Sequence, residues 1–190
     1  PRFWWLNLGF TACGFQLALI ATHLPGHLLQ EGVPARVAAA GIAVIALANV
    51  PGTYGLGRLG DRFARKRVLS LLYLLRSAAL ALFLIVPAGE ASTMAFCIAM
   101  GLLWLGTVPL TSGLLAQMFG VRWLGLLFGL VFIGHQVGAF FGVWLGAWVV
   151  ERFGSYEPMW IAALLLGLLA AVLHWPLDDR PVTAGRWVPS

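Results

Sequence analysis

The chain has 190 residues, of which 12 are Lys or Arg and 7 are Asp or Glu, so charged residues make up 10% against about 25% in an ordinary soluble domain. Hydrophobic residues reach 61%, with 23 glycines besides and a mean hydropathy of +0.89, whereas a soluble globule of this size still exposes about 30% of the surface its unfolded chain exposes. A disordered chain, a disulfide-rich secreted module and a soluble enzyme are excluded, and an integral membrane protein remains.

A transmembrane helix needs about 20 mostly apolar residues, and six stretches qualify. The first expected span is 3–24, closed by Pro25-Gly26, and the second is 37–56, with Pro51 near its end. The third, 68–86, stops at Pro87-Ala88-Gly89, and the fourth, 93–118, is interrupted by Pro109. The fifth is 124–150 and the sixth 159–175, stopped by Pro176. One six-helix unit thus covers residues 1–176, and 177–190 form a cytoplasmic tail. The chain begins at Pro1, without the n-region and cleavage site of a signal peptide, and is expected to be a piece of a longer protein. Cys13 and Cys97 fall in apolar stretches and read as small core residues.

The placement of Arg and Lys sets the orientation through the positive-inside rule. The segment Gly57-Arg58-Leu59-Gly60-Asp61-Arg62-Phe63-Ala64-Arg65-Lys66-Arg67 carries five bases and one acid. With this segment in the cytoplasm, that side also holds Arg2, Arg122, Arg180 and Arg186, nine bases in all. The far side then holds Arg36 and Arg152 with Glu31, Glu90, Glu151 and Glu157. Both termini are cytoplasmic, as an even number of spans requires, and the net charge of +5 meets anionic lipid headgroups rather than nucleic acid.

Gly57 to Lys66 fit the pattern Gly-x-x-x-Asp-Arg-x-x-Arg-Lys between the second and third spans. This resembles the signature loop of the major facilitator superfamily, with Ala64 where that family usually has Gly. The strings Cys13-Gly14-Phe15-Gln16-Leu17, Tyr73-Leu74-Leu75-Arg76, Leu103-Trp104-Leu105-Gly106-Thr107-Val108-Pro109 and Gly134-His135-Gln136 are similar to the C-terminal half of bacterial members of the monocarboxylate-transporter and oxalate/formate branches. The resemblance implies an all-α polytopic membrane protein, with six transmembrane helices as 3+3 inverted repeats, half of a twelve-helix facilitator fold. It also implies an N-terminal six-helix half as partner, a substrate path between the halves and alternating access. The implied activity is secondary transport of a small organic solute, a monocarboxylate or other organic anion, by symport or antiport in the bacterial inner membrane.

The residues carry this chemistry as follows. Gly57 and Gly60 permit close helix approach, and Asp61, Arg62, Arg65 and Lys66 form either a topology anchor or, as the resemblance implies, a conformational latch. Arg76 is the one charge well inside a span. In hydrocarbon it needs protein or water around it, so it is a counter-charge for an anionic solute, a hydrogen-bond hub, or a side chain that snorkels to the surface. Gln16 and the pair His135 and Gln136 lie near the bilayer midplane, where a histidine can donate, accept or titrate. Thr107 and Thr111 share one face beside Pro109, which frees a backbone carbonyl, and Asn49 with Pro51 makes a similar pair. Gly134, Gly138, Gly142 and Gly146 repeat every four residues, a small-residue stripe that serves static packing or a sliding surface.

His23 and His27 have ligand-like spacing, but Pro25-Gly26 is expected to break the helix between them, and no carboxylate or Cys cluster completes a site. His174, beside Trp175, is expected at the membrane interface. No metal site, P-loop or cofactor motif is visible. Two other classes compete with transport. A rhomboid-like intramembrane enzyme needs a serine with a histidine base, for which Ser112 and His135 are the available pair. A non-transporting membrane sensor needs only a ligand site on the same scaffold.

Overall fold

The computed structural model describes residues 2–181, so most of the expected tail, Arg186 included, lies outside the described residues. The described chain is all helical: α1 (Arg2–Gln30), α2 (Ala35–Arg62), α3 (Arg65–Ile85), α4 (Glu90–Leu102), α5 (Thr107–Phe119), α6 (Leu124–Phe153) and α7 (Glu157–His174). A short 3₁₀ turn, Val121–Trp123, precedes α6. These make six segments long and apolar enough to cross a bilayer, with α4 and α5 sharing the fourth.

Several boundaries differ from expectation. The first helix does not stop at Pro25-Gly26 but runs on to Gln30. Proline inside a membrane helix is tolerated where neighbours cover the freed backbone, and here Tyr156, Trp160 and Phe83 pack around His27 in the following turn. His23 and His27 therefore stay on one continuous helix. The chain turns instead at Gly32, whose φ of 78° suits a glycine, as do those of Gly120 and Gly154 at later turns. The basic segment is mostly helix: Gly57, Asp61 and Arg62 end α2, Arg65 and Lys66 begin α3, and only Phe63 and Ala64 lie between.

Crossing four breaks at Leu103–Gly106, ahead of Pro109. Pro109 then sits in the first turn of α5, where a backbone donor has no intrahelical partner to lose. The sequence pointed to the proline, but the interruption is set by glycine on either side, Gly101 and Gly106, and by side chains from other helices.

Helix pairing explains how the bundle is layered. The main contacts are α1 with α6, α2 with α4, and α3 with α7, and α7 also packs on α1. Exchanging the first three crossings with the last three converts the α1–α6 pair into the α4–α2 pair and leaves α3–α7 unchanged, the signature of a 3+3 inverted repeat. Both exchanged pairs are glycine seams. A Cβ at Gly138 would collide with the Thr11 carbonyl, one at Gly142 would lie 2.5 Å from the Phe15 carbonyl oxygen, and one at Gly14 would strike the His135 carbonyl. In the second seam a Cβ at Gly52 would strike the Leu102 carbonyl, and one at Gly101 would lie 2.7 Å from Ile45 O. Lipid tails are as apolar as leucine, so close dispersion contact rather than water exclusion holds such helices together.

The buried side chains form two clusters. One, with Leu24, Leu28, Phe96 and Trp160, lies toward the end bearing Glu31, Glu90 and Glu157. The other, with Leu6, Leu69, Tyr73 and Met118, lies toward the end bearing Arg2 and the 58–67 segment.

Candidate functional site

The break in crossing four leaves backbone groups without helical partners, and polar side chains from other helices take them. Arg76 of α3 is fully buried. Its Nε donates to Leu103 O at 3.0 Å, and its Nη2 donates to Leu103 O at 2.6 Å and to the Trp104 carbonyl. Its Nη1 donates to Cys13 Sγ at 3.2 Å, and that sulfur lies 3.4 Å from Thr107 Oγ1 on the first turn of α5. From the other side, Asn49 of α2 accepts the Leu105 backbone N–H at 3.0 Å and the Thr53 hydroxyl at 2.9 Å. Three of the sequence candidates, Arg76, Asn49 and Thr107, thus converge on one break. None of the ion pairs among the described residues involves Arg76.

Tyr73, one turn before Arg76, completes the support. Its ring centroid lies 5.6 Å from the guanidinium carbon, and its hydroxyl donates to Gly9 O at 2.9 Å. His174 is not at the interface as expected: it is 1% exposed, stacked on Tyr73 with centroids 5.2 Å apart, and its Nδ1 lies 2.6 Å from Ala170 O. Gly9 makes room for that imidazole, because a Cβ there would collide with it. The neighbouring Trp175 is the exposed member of the pair.

The other candidates lie apart. Gln16 is fully buried and donates to Ala163 O of α7 at 2.8 Å, while its Oε1 has no partner. Gly167 and Ser77 flank it. Thr111 is fully buried on α5, its hydroxyl unpartnered. His135 is half-buried between Phe10 and Phe132, with ring centroids at 5.0 and 5.4 Å, and its Nδ1 is 3.3 Å from Oε1 of the exposed Gln136. Gly134 and Gly146 extend the seam past Gly138 and Gly142: a Cβ at Gly134 would strike the Asn7 side chain, and one at Gly146 would lie 2.5 Å from His23 Nε2.

At the basic end a second network ties four helices. Arg65 Nη2 donates to Asp61 Oδ1 at 2.9 Å and Nη1 to Gln117 Oε1 at 3.3 Å. Lys66 Nζ donates to Leu177 O at 2.7 Å and lies 3.2 Å from Asp179 Oδ1. Arg2 pairs with Asp178 and donates to Arg180 O at 3.2 Å. The Arg180 backbone N–H, and then Arg2, hold the Asp178 carboxyl below the usual carboxylate range. Arg62 is exposed, and Gly60 packs against Leu110 of α5. Asp61, Arg65, Ser112 and Gly113 line a cleft of about 300 Å³ beside Pro109.

Sequence reasoning missed Cys13, Tyr73 and Ser77 as polar partners of the candidates. Tyr73 carries a signal in hindsight, a phenol three residues from the one embedded arginine, on the same helix face. Cys13 carried none, since a thiol in an apolar run looks like any small core residue.

Residues 4–186 match the Major Facilitator Superfamily. The chain is 26% identical over 187 residues to the oxalate:formate antiporter of Oxalobacter formigenes, covering 96% of this chain and 44% of that protein. It is 28% identical over 142 residues to the MFS-type transporter YhjX of Escherichia coli, covering 73% of this chain and 35% of the relative. The fold superposes on the MFS transporter FucP, solved in its outward conformation, with a TM-score of 0.73 at 17% identity, covering 92% of this chain and 42% of FucP. The chain therefore spans less than half the length of these relatives. With six apolar crossings, paired seams related by exchange, and a match over nearly its whole length, this chain belongs to the Major Facilitator Superfamily.

Proposed function

We propose that this six-crossing unit is one half of a secondary transporter that moves a small organic anion, such as a monocarboxylate, through the bacterial inner membrane by alternating access with a second six-helix half. The observation that carries the reading is Arg76: a fully buried guanidinium, at a helix break, with no carboxylate paired to it among the described residues. An embedded arginine is costly unless it faces protein or a water-filled path, and a discontinuous helix is the usual site builder in transporters. The likeness to an oxalate:formate antiporter supports a carboxylate as solute. In this reading Arg76, Asn49 and Thr107 shape the break, Gln16 and Thr111 offer unpartnered groups to the path, and His135 with Gln136 couples protonation to movement. The Asp61–Arg65–Gln117 network, with Lys66 clasped to the segment after α7, is the latch of one access state, on the cytoplasmic side with both termini.

The test is flux through the full-length protein in proteoliposomes loaded with formate. Uptake of labelled formate or oxalate by counterflow, abolished in Arg76→Ala and partly kept in Arg76→Lys, supports the reading. Saturable binding of these anions with no flux under any gradient replaces it with a sensor.

A further inference from the structure

At the end opposite the basic network, the ends of α1 and α3 and the beginnings of α4 and α7 enclose a cavity of about 540 Å³. That volume lies within the range of small-molecule sites, about 300–1,000 Å³. Its inner wall is apolar and aromatic. Phe83 stacks on Phe96 with centroids 4.2 Å apart, meets Trp160 edge-on at 5.6 Å, and touches His27 at 5.3 Å. Its mouth is acidic: Glu31 and Glu157 both line it, both are exposed, and neither forms an ion pair among the described residues. The nearby Glu90 differs, being held by Arg36 at 2.8 Å.

A buried group adds an observation independent of that charge. Thr93 lines the cavity, is 1% exposed, and its hydroxyl has no hydrogen-bond partner. A helical threonine ordinarily bonds back to the preceding turn, and an orphaned buried hydroxyl costs about 1–3 kcal/mol. The indole N–H of Trp160, fully buried behind Phe83, is likewise unpartnered. An aromatic slot with two free carboxylates at its rim and a spare hydroxyl buried in its wall suits a ligand with an apolar body and a cationic head, because ring faces and carboxylates both attract ammonium.

We infer that this cavity binds an organic ammonium ion, its apolar body against Phe83 and Phe96 and its charged head at Glu31 and Glu157. The site lies at the other end of the molecule from Asp61 and Arg65 and shares no residue with the Arg76 break, so it stands without the transport reading. Leu82, Ile85 and Val86 line the cavity, are apolar and are exposed. The ammonium can therefore arrive from water or as the headgroup of an aminophospholipid.

The experiment is equilibrium binding of labelled 2-phenylethylammonium to the full-length protein in dodecyl maltoside micelles, which carry no ammonium group. Saturable binding is expected, weakened at least tenfold in Glu31→Gln/Glu157→Gln, which changes two exposed carboxylates that form no ion pair among the described residues. Ala95→Trp, which fills the cavity from its exposed rim, should abolish binding, and unlabelled 2-phenylethanol should compete at least tenfold more weakly than the ammonium. Adding phosphatidylethanolamine to the micelles identifies the source: weaker probe binding marks the lipid headgroup as occupant, and unchanged binding marks a free amine. Undiminished affinity in the double variant, or equal competition by the alcohol, overturns the inference.

Discussion

The α1–α6 and α2–α4 seams are the same structural idea used twice, related by exchange of the two halves of the repeat, yet they are finished differently. Along α1–α6 both helices are unbroken, and of four glycines at i, i+4 spacing Gly138 and Gly142 let backbone meet backbone while Gly134 and Gly146 make room for the Asn7 and His23 side chains. Along α2–α4 the contact is equally close at Gly52 and Gly101, but α4 stops there, and polar side chains satisfy the loose ends. The first seam is held chiefly by shape, with His23 Nε2 lying 3.0 Å from Val143 O across it. The second is held by a few discrete hydrogen bonds, which can be exchanged for others. Symmetry in the fold therefore does not mean symmetry in deformability, and the broken seam is the one suited to a change of state.

Substitutions can break or sharpen this contrast. The largest effect is expected from Arg76→Ala, which orphans the Leu103 and Trp104 carbonyls in the membrane interior; at about 1–3 kcal/mol for each buried unsatisfied group, stability in an SDS titration should fall by several kcal/mol. Arg76→Lys should recover part of it, since one ammonium can still donate to a carbonyl. Next is Gly138→Ala, where the added methyl meets the Thr11 backbone rather than a side chain that can swing away. Overpacking of this kind costs about 1–3 kcal/mol, and the same titration reads it. A loss in Gly138→Ala as small as in Gly129→Ala, where nothing lies within 4 Å, would mean the first seam is looser than described.

Asn49→Ala removes the acceptor of the Leu105 N–H and should cost about 1–2 kcal/mol. A flux defect larger than the stability defect would tie the break to function. Smallest is the basic-end pair, outside both seams. Because Asp178 titrates below the ordinary carboxylate value in the folded protein, its contribution is fully present above about pH 4 and is lost as pH falls through the lowered value. Asp178→Asn should remove that part of the acid sensitivity of melting, with no change at pH 7 beyond a surface pair's small share.

The sequence made some of this plain and left some hidden, for physical reasons. Crossings were countable because hydrocarbon thickness fixes their length, and the α1–α6 seam was readable because glycine at every fourth residue has few other uses in a helix. The second seam was not, since Gly52 and Gly101 lie on different helices, form no local stripe, and come to one seam only after folding. Pro25 and Pro109 misled in opposite directions. One sits inside a helix that packing sustains, and the other starts a helix whose true break lies a few residues earlier. His174 looked interfacial beside an exposed tryptophan, and only the tertiary fold puts it on Tyr73. Among the candidates, the grouping of Arg76, Asn49 and Thr107 depends on three helices distant in sequence, which no local pattern encodes.

The break in crossing four also has an electrical consequence. The carbonyl end of α4 carries about half a negative charge and the amide end of α5 about half a positive one, and the two face each other across Leu103–Gly106. To first order these partial charges cancel, which leaves the unit charge of Arg76 standing in a low-dielectric interior where fields reach far. The net charge at the middle of this bundle is thus the guanidinium's own, not the backbone's, and Arg76→Ala would change it by one full unit.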